Sequence, residues 1–261
     1  MSLPATADSP TPAAAARRIV IGDIHGHYDG LMLLIDSLQL TPQDQLYFLG
    51  DLIDRGPKSA QVMEYVRNKG YACVRGNHEQ MMLEAFPNGQ IFSPALHAWM
   101  YSGGRATMSS YEDPDMMLEH LKWIETLPNY LDLGDVWLVH AGVHPDMTIE
   151  SQDQQQFCWI RDEFHRMGRP YFEDKLIITG HTITFTFPGV FPGAIVRGQG
   201  WLDIDTGAYH PRSGWLTALD LTHQMVHQAH MYESLTRTLP LEEVLIDMPE
   251  TQAKRRQALM L

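Results

Sequence analysis

Three short stretches, GDIHG from Gly22, GDLIDRG from Gly50 and GNHE from Gly76, each follow directly on an apolar run, and Asp23, Asp51 and Asn77 stand 28 and 26 residues apart. That interval holds one helix and its turns between successive strands. Leu31, Leu34, Ile35 and Leu38 repeat at helical spacing in the first gap, and Val62, Met63 and Val66 do so less completely in the second. The chain is thereby constrained to a βαβαβ unit and a parallel sheet. Further apolar runs, VWLVHAG, LIITGHT, WLDIDTG, WLTALDL and QMVHQAH, predict later strands. LDLGDVWL predicts a hairpin around Gly134 and Asp135, and Ser93 to Leu127 is mostly helical in pattern. The second half reads as strands added to a second sheet. In TITFTFPGVFPG the alternation of Phe185 and Phe187 before Pro188 and Gly189 fits an ordinary half-buried hairpin at least as well as a wall of a substrate groove.

The polar residues at the strand ends are of one chemical kind. The first end carries Asp23 and His25, the second Asp51, Asp54 and Arg55, the third Asn77 and His78, and two later ends carry His140 and His181. Taken alone, Asp23 and His25 between Gly22 and Gly26 fit either a tight turn with a helix cap or a metal site that mixes a hard oxygen with a borderline nitrogen. Five strand ends bearing the same inventory are harder to assign to packing. In open α/β sheets ligands bind beyond the carboxyl ends of strands, where residues distant in sequence meet.

Composition bounds the partners. The formal charge of the 261 residues is -13, which repels nucleic acid and anionic membrane, so an anionic substrate must be attracted locally. Cys73 and Cys158 are too few for a disulfide framework and predict a reducing compartment. With no signal-peptide pattern and no long apolar run, the expected location is the cytoplasm. Residues 1–16, rich in Pro, Ala, Ser and Thr, read as a loose tail. Residues 17–232 read as the folded domain, which the resemblance named below makes the catalytic one, and 233–261 as an extension with fading periodicity, in which QAKRR is a solvated basic patch.

Together, GDIHG, GDLIDRG and GNHE in order, followed by HAG and GHT, resemble the metallophosphoesterase superfamily, and within it the bacterial phosphoprotein phosphatases of the serine/threonine type. The resemblance covers about Arg17 to Leu221. It implies an α/β fold, a four-layer α-β-β-α sandwich of two mixed sheets flanked by helices, with the site at the rim of the sheets. It further implies that Asp23 and His25 hold one divalent metal, Asn77, His140 and His181 a second, and that Asp51 bridges them. Manganese is the first choice and Fe or Zn are alternatives, since no donor is soft enough to demand thiolate chemistry. A water between two such metals becomes a hydroxide aimed at phosphorus. Two ions and two aspartates leave a surplus of about +2 for a phosphate dianion. Arg55 is assigned to the phosphate oxygens, His78 to protonation of the leaving oxygen, and Asp54 to orientation of His78. Arg161, in FCWIRDEF, stands roughly where related phosphatases carry a second phosphate-binding arginine; the competing reading is a surface salt bridge with Asp162 or Glu163.

His27, His144, His165 and His210 fall on no matched position, and His223, His227 and His230 do not share one face of a strand, so no third metal site is expected. The expected activity is hydrolysis of phosphoserine and phosphothreonine in a phosphoprotein or phosphopeptide. The first rival is hydrolysis of diadenosine tetraphosphate or another nucleotide, but such hydrolases usually lack the second aspartate of GDxxDRG and read GNHD, where this chain has Asp54 and Glu79. A nuclease would lack the DRG arginine and show a basic groove, and a non-enzymatic binding module would have lost a ligand. The sequence leaves the oligomeric state open.

Overall fold

The computed structural model describes residues 16–248. The expected N-terminal tail, Ala16 apart, and the QAKRR patch lie outside the described residues. In chain order the strands are β1 (Arg18–Ile21), β2 (Gln45–Phe48), β3 (Ala72–Cys73), β4 (Tyr130–Asp132), β5 (Val136–Val139), β6 (Leu176–Thr179), β7 (Ile195–Gly198), β8 (Trp201–Asp203), β9 (Trp215–Asp220), β10 (Met225–His230), β11 (Thr236–Pro240) and β12 (Leu245–Asp247). The helices are α1 (Tyr28–Leu38), α2 (Ser59–Lys69), α3 (Asn77–Ala85), α4 (Ser93–Trp99), α5 (Arg105–Ser110), α6 (Pro114–Thr126), α7 (Gln154–Trp159), α8 (Asp162–His165) and α9 (Leu241–Val244). A π turn, Met100–Gly104, joins α4 to α5.

Two six-stranded sheets result, ordered β11-β10-β9-β1-β2-β3 and β12-β7-β8-β6-β5-β4. Strands β1, β2 and β3 are parallel, whereas β9, β10 and β11 run antiparallel. The second sheet mixes parallel β12·β7, β8·β6 and β6·β5 with antiparallel β7·β8 and β4·β5. Both sheets are mixed.

Strand alternation explains the layering, because successive side chains point to opposite faces. In β1, Ile19 and Ile21 pack toward the helices with Leu31, Leu34, Val62, Met63 and Val66, while Val20 points the other way, into a cluster with Leu138, Ile178 and Leu219. In β6, Ile178 joins that inter-sheet cluster and Ile177 packs with Phe157, Phe164 and Trp201 on the outer face of the second sheet. Three apolar layers therefore separate four layers of secondary structure. Burial on both faces is why β1 and β5 read as unbroken apolar runs.

Two sequence expectations need correction. The strands of the second half do not all extend a second sheet: β9 and β10 close onto β1 in the first, and β11 follows them. Residues Thr184–Thr186 form a 3-10 turn rather than a hairpin strand. There Phe187 N donates to Thr184 O, and Phe185 is buried against His210. Beyond Tyr232, where periodicity fades, β11 and β12 add an edge to each sheet.

Candidate active site

The turns that leave β1, β2, β3, β5 and β6 converge on one rim. Each is folded locally to aim side chains inward, and backbone strain concentrates there. Of nine non-glycine residues with positive φ among the described residues, five are His25 (50°), Asp51 (48°), Asp54 (75°), Arg55 (70°) and His181 (69°). Such conformations cost about 1–3 kcal/mol each and persist only where surroundings over-determine them. At Gly76 a Cβ would collide with the carboxylate and backbone of Asp51, so only glycine lets the β2 and β3 turns touch.

Around Asp51 the donors gather. His25 Nε2 lies 3.5 Å from Asp51 Oδ2 and 4.0 Å from Asp23 Oδ2. On the other side His140 Nε2 lies 3.4 Å from Asp51 Oδ1, and His140 Nε2 and His181 Nδ1 each lie 2.9 Å from Asn77 Oδ1. His25 donates its Nδ1–H to Ile53 O at 2.9 Å, and His140 donates its own to Leu49 O at 2.7 Å. Those bonds turn each Nε2 toward the centre, the arrangement that orients metal-ligating imidazoles; the His25 Nε2 lone pair accepts from Arg55 here. Burial, first, and cationic or imidazole neighbours, second, hold His25 and His181 well below the ordinary imidazole range. His140 is lowered by burial as well. All three therefore offer the neutral, ligating form. Asp23 is pushed far up, by burial first and then by the Asp205 and Asp51 carboxylates. Among the described residues two groups bring their ligand atoms close enough to hold a divalent cation, Asp51 with His140 and His181 on one side and Asp51 with His25 and His78 on the other. Asp23 stands outside both, its carboxylate accepting the backbone N–H of His181 at 3.1 and 3.2 Å.

His78 lies between the two kinds of role. Its Nδ1 meets Asp54 Oδ2 at 2.5 Å, and its Nε2 is 3.8 Å from Asp51 Oδ2, so His25, Asp51 and His78 also form a group close enough to hold an ion. The Asp54 bond consumes one nitrogen and orients the other inward. Arg55 lays its guanidinium 3.9 Å from the Tyr209 ring centroid and donates to His25 Nε2 at 2.6 Å. Arg161 donates to Thr182 Oγ1 at 2.7 Å and to His181 O at 3.2 Å, while Asp162 pairs with Arg166 instead. The surface-bridge reading of Arg161 is thus set aside. Asp51, Arg55, Asn77, His78, Arg161, His181 and Tyr209 line one cavity of about 230 Å3. A larger cavity of about 520 Å3, beside α2 and α6, contains none of the motif residues.

Several contacts carry no local sequence signal. Glu79 is fully buried, and its carboxylate accepts the backbone N–H groups of Asp51 and Leu52 at 2.8 Å and of Gly76 at 3.0 Å, which ties the β2 turn to the start of α3. Burial and the Asp51 charge push its pKa up to about 7. Replacing Glu79 by Gln would set an amide donor against backbone donors, and a buried donor or acceptor left unpaired costs ~1–3 kcal/mol. Urea unfolding of Glu79→Gln is expected to show a loss of that order; unchanged stability would deny the carboxylate this role. Tyr209, Trp99 and Thr107 also reach the site, although no motif marks them. His165 is buried 3.5 Å from Asp203, away from the convergent donors. His227 bonds Thr238 and His223 bonds Asp220, so they form no joint cluster.

The profile of the calcineurin-like phosphoesterases matches residues 16–210. The chain belongs to that family. The chain is 42% identical over 157 residues to serine/threonine-protein phosphatase 1 of Salmonella typhimurium, covering 55% of this chain and 68% of that one. It is 46% identical over 135 residues to the symmetrical bis(5'-nucleosyl)-tetraphosphatase of Cronobacter sakazakii, covering 50% and 44%. A solved metallophosphoesterase from Sphaerobacter thermophilus superposes with a TM-score of 0.54 at 20% identity, over 93% of this chain and 94% of that one, and shares the fold. The chain spans about half the length of the curated relatives it matches. Among the described residues no helix is long and apolar enough to cross a membrane.

Proposed function

We propose that this phosphoesterase is a serine/threonine protein phosphatase working with two divalent ions, manganese first and Fe or Zn as alternatives. Asp23, His25 and Asp51 would hold one ion, and Asp51, Asn77, His140 and His181 the other. Bound there, the ions would supply Lewis acidity and lower the pKa of a water between them. The chain's own groups do the rest. Arg55 and Arg161 grip and orient phosphate oxygens, and His78, held through Nδ1 by Asp54, presents Nε2 to the leaving oxygen.

The observation that carries the choice of substrate is the Asp54–His78 pair at 2.5 Å. An alkoxide leaving from phosphoserine is a strong base and needs a proton in the transition state, whereas a nucleoside phosphate leaves far more readily. A dedicated, carboxylate-oriented acid is worth most to the first reaction. The cavity of about 230 Å3 also supports a small reacting end, since pockets that enclose whole drug-sized ligands run to about 300–1,000 Å3.

The second reading, hydrolysis of diadenosine tetraphosphate, draws on the Cronobacter relative's name and identity. Phosphoserine and phosphothreonine peptides, diadenosine tetraphosphate and bis(para-nitrophenyl) phosphate, assayed side by side with Mn, separate the two. The highest kcat/KM is expected on a phosphopeptide; turnover of the dinucleotide far above the peptides would overturn the proposal.

A further inference from the structure

The segment from α4 to α5 lies outside both sheets and carries none of the strand-end motifs, yet it reaches into the site at three points. Trp99, fully buried, donates its Nε1–H to Asp54 at 2.8 Å from Oδ2 and 3.1 Å from Oδ1. Thr107, equally buried, donates its hydroxyl to Asp54 Oδ1 at 2.6 Å and accepts the Asp54 backbone N–H at 2.8 Å. Between them, Gly103 O accepts the backbone N–H of Arg55 at 3.3 Å.

Chain geometry makes these contacts interdependent. The chain kinks between Trp99 and Thr107, at Gly103, which sits at φ 123°, outside helical angles and where a side chain is strained. A Cβ on Gly103 would fall 2.9 Å from Arg55 Cγ and 3.1 Å from its backbone nitrogen. Asp54 and Arg55 both carry positive φ, so neighbours must hold them in place.

We infer that Trp99 and Thr107 are positioning residues that fix the Asp54 carboxylate, and through it the His78 imidazole, while Gly103 fixes the seat of Arg55. The inference rests on the proposed role of His78 as the acid. Asp54 is completely enclosed, and its carboxylate accepts three side-chain donors: His78 Nδ1, Trp99 Nε1 and Thr107 Oγ1. Two of the three come from this one segment. Removing either leaves the carboxylate free to turn away from Nδ1, so that Nε2 no longer points at one place. The fault would then be largest where a leaving group needs a proton. A defect at Gly103 would appear differently, as weaker hold on the phosphoryl group with the acid intact.

The test uses Thr107→Val, which keeps shape and loses the hydroxyl, Thr107→Ser, which keeps the hydroxyl, and Trp99→Phe, which keeps a ring and loses the N–H. Each is assayed beside His78→Asn on a phosphoserine peptide and on para-nitrophenyl phosphate, with metals counted. Thr107→Val and Trp99→Phe are expected to lose about tenfold in kcat on the peptide, a fraction of the ~10²- to 10⁴-fold worth of an acid. On the aryl phosphate they should lose clearly less, with KM and metal content near wild type. Thr107→Ser should restore the peptide rate. Gly103→Ala should instead raise KM on both substrates with a smaller change in kcat. Equal losses on both substrates, no loss at all, or failure of Thr107→Ser to rescue would overturn the inference while His78→Asn still discriminated between leaving groups. If His78→Asn itself did not discriminate, the acid assignment and the inference would fall together.

Discussion

His78→Asn is expected to lose ~10²- to 10⁴-fold in kcat on a phosphoserine peptide, the usual worth of a general acid, and clearly less on para-nitrophenyl phosphate. The reason lies in the leaving groups: a serine alkoxide needs a proton as it departs, and para-nitrophenolate does not. Asp54→Asn should show the same discrimination more mildly, because the role proposed for Asp54 is only to orient the imidazole through Nδ1. Two metals should remain in both variants. This last point matters because His78 Nε2 lies only 3.8 Å from Asp51 Oδ2, within reach of a ligand role. Loss of an ion from His78→Asn would move His78 among the ligands, and equal losses on both substrates with metals retained would remove it as the acid.

Asp51→Asn should cripple the enzyme more than Asp23→Asn. Asp51 has an imidazole Nε2 near each carboxylate oxygen, His140 beside Oδ1 and His25 beside Oδ2, and its Oδ1 also accepts the backbone N–H of His78 at 3.0 Å. Losing it weakens both sites together. The loss should exceed ~100-fold, the upper end of what removing a mere outer partner of a metal ligand costs. Elemental analysis checks the cause: Asp51→Asn should hold fewer than two ions. Two tightly bound ions with near-normal turnover would contradict the bridging assignment.

The parallel half of the fold was legible because β1 and β2 lie within stacked layers, and such strands read as continuous apolar runs that end in the residues of the site. Asp23, Asp51 and Asn77 mark those ends directly. What the sequence hides has physical reasons. Strand β12 is three residues long, and β11 is an edge strand that ends in proline, and neither holds a fully buried residue, so no buried face stands out in their alternation. The 3-10 turn at Thr184–Thr186 alternates like a strand over too few residues to tell the two apart. The supports of the site are non-local: Trp99 and Thr107 meet Asp54 across 45 and 53 residues, and no local pattern announces such a contact. Glu79 stands inside a recognised motif, yet its work is done on the backbone of Asp51 and Leu52, 28 and 27 residues away.

Anomalous scattering from crystals grown with manganese tests the central claim most directly. Two peaks are expected about 3.5–4 Å apart, one beside Asp23 and His25 and the other beside Asn77, His140 and His181, with the Asp51 carboxylate between them. A single peak, or a second one held by His78 in place of Asn77, His140 and His181, would contradict it.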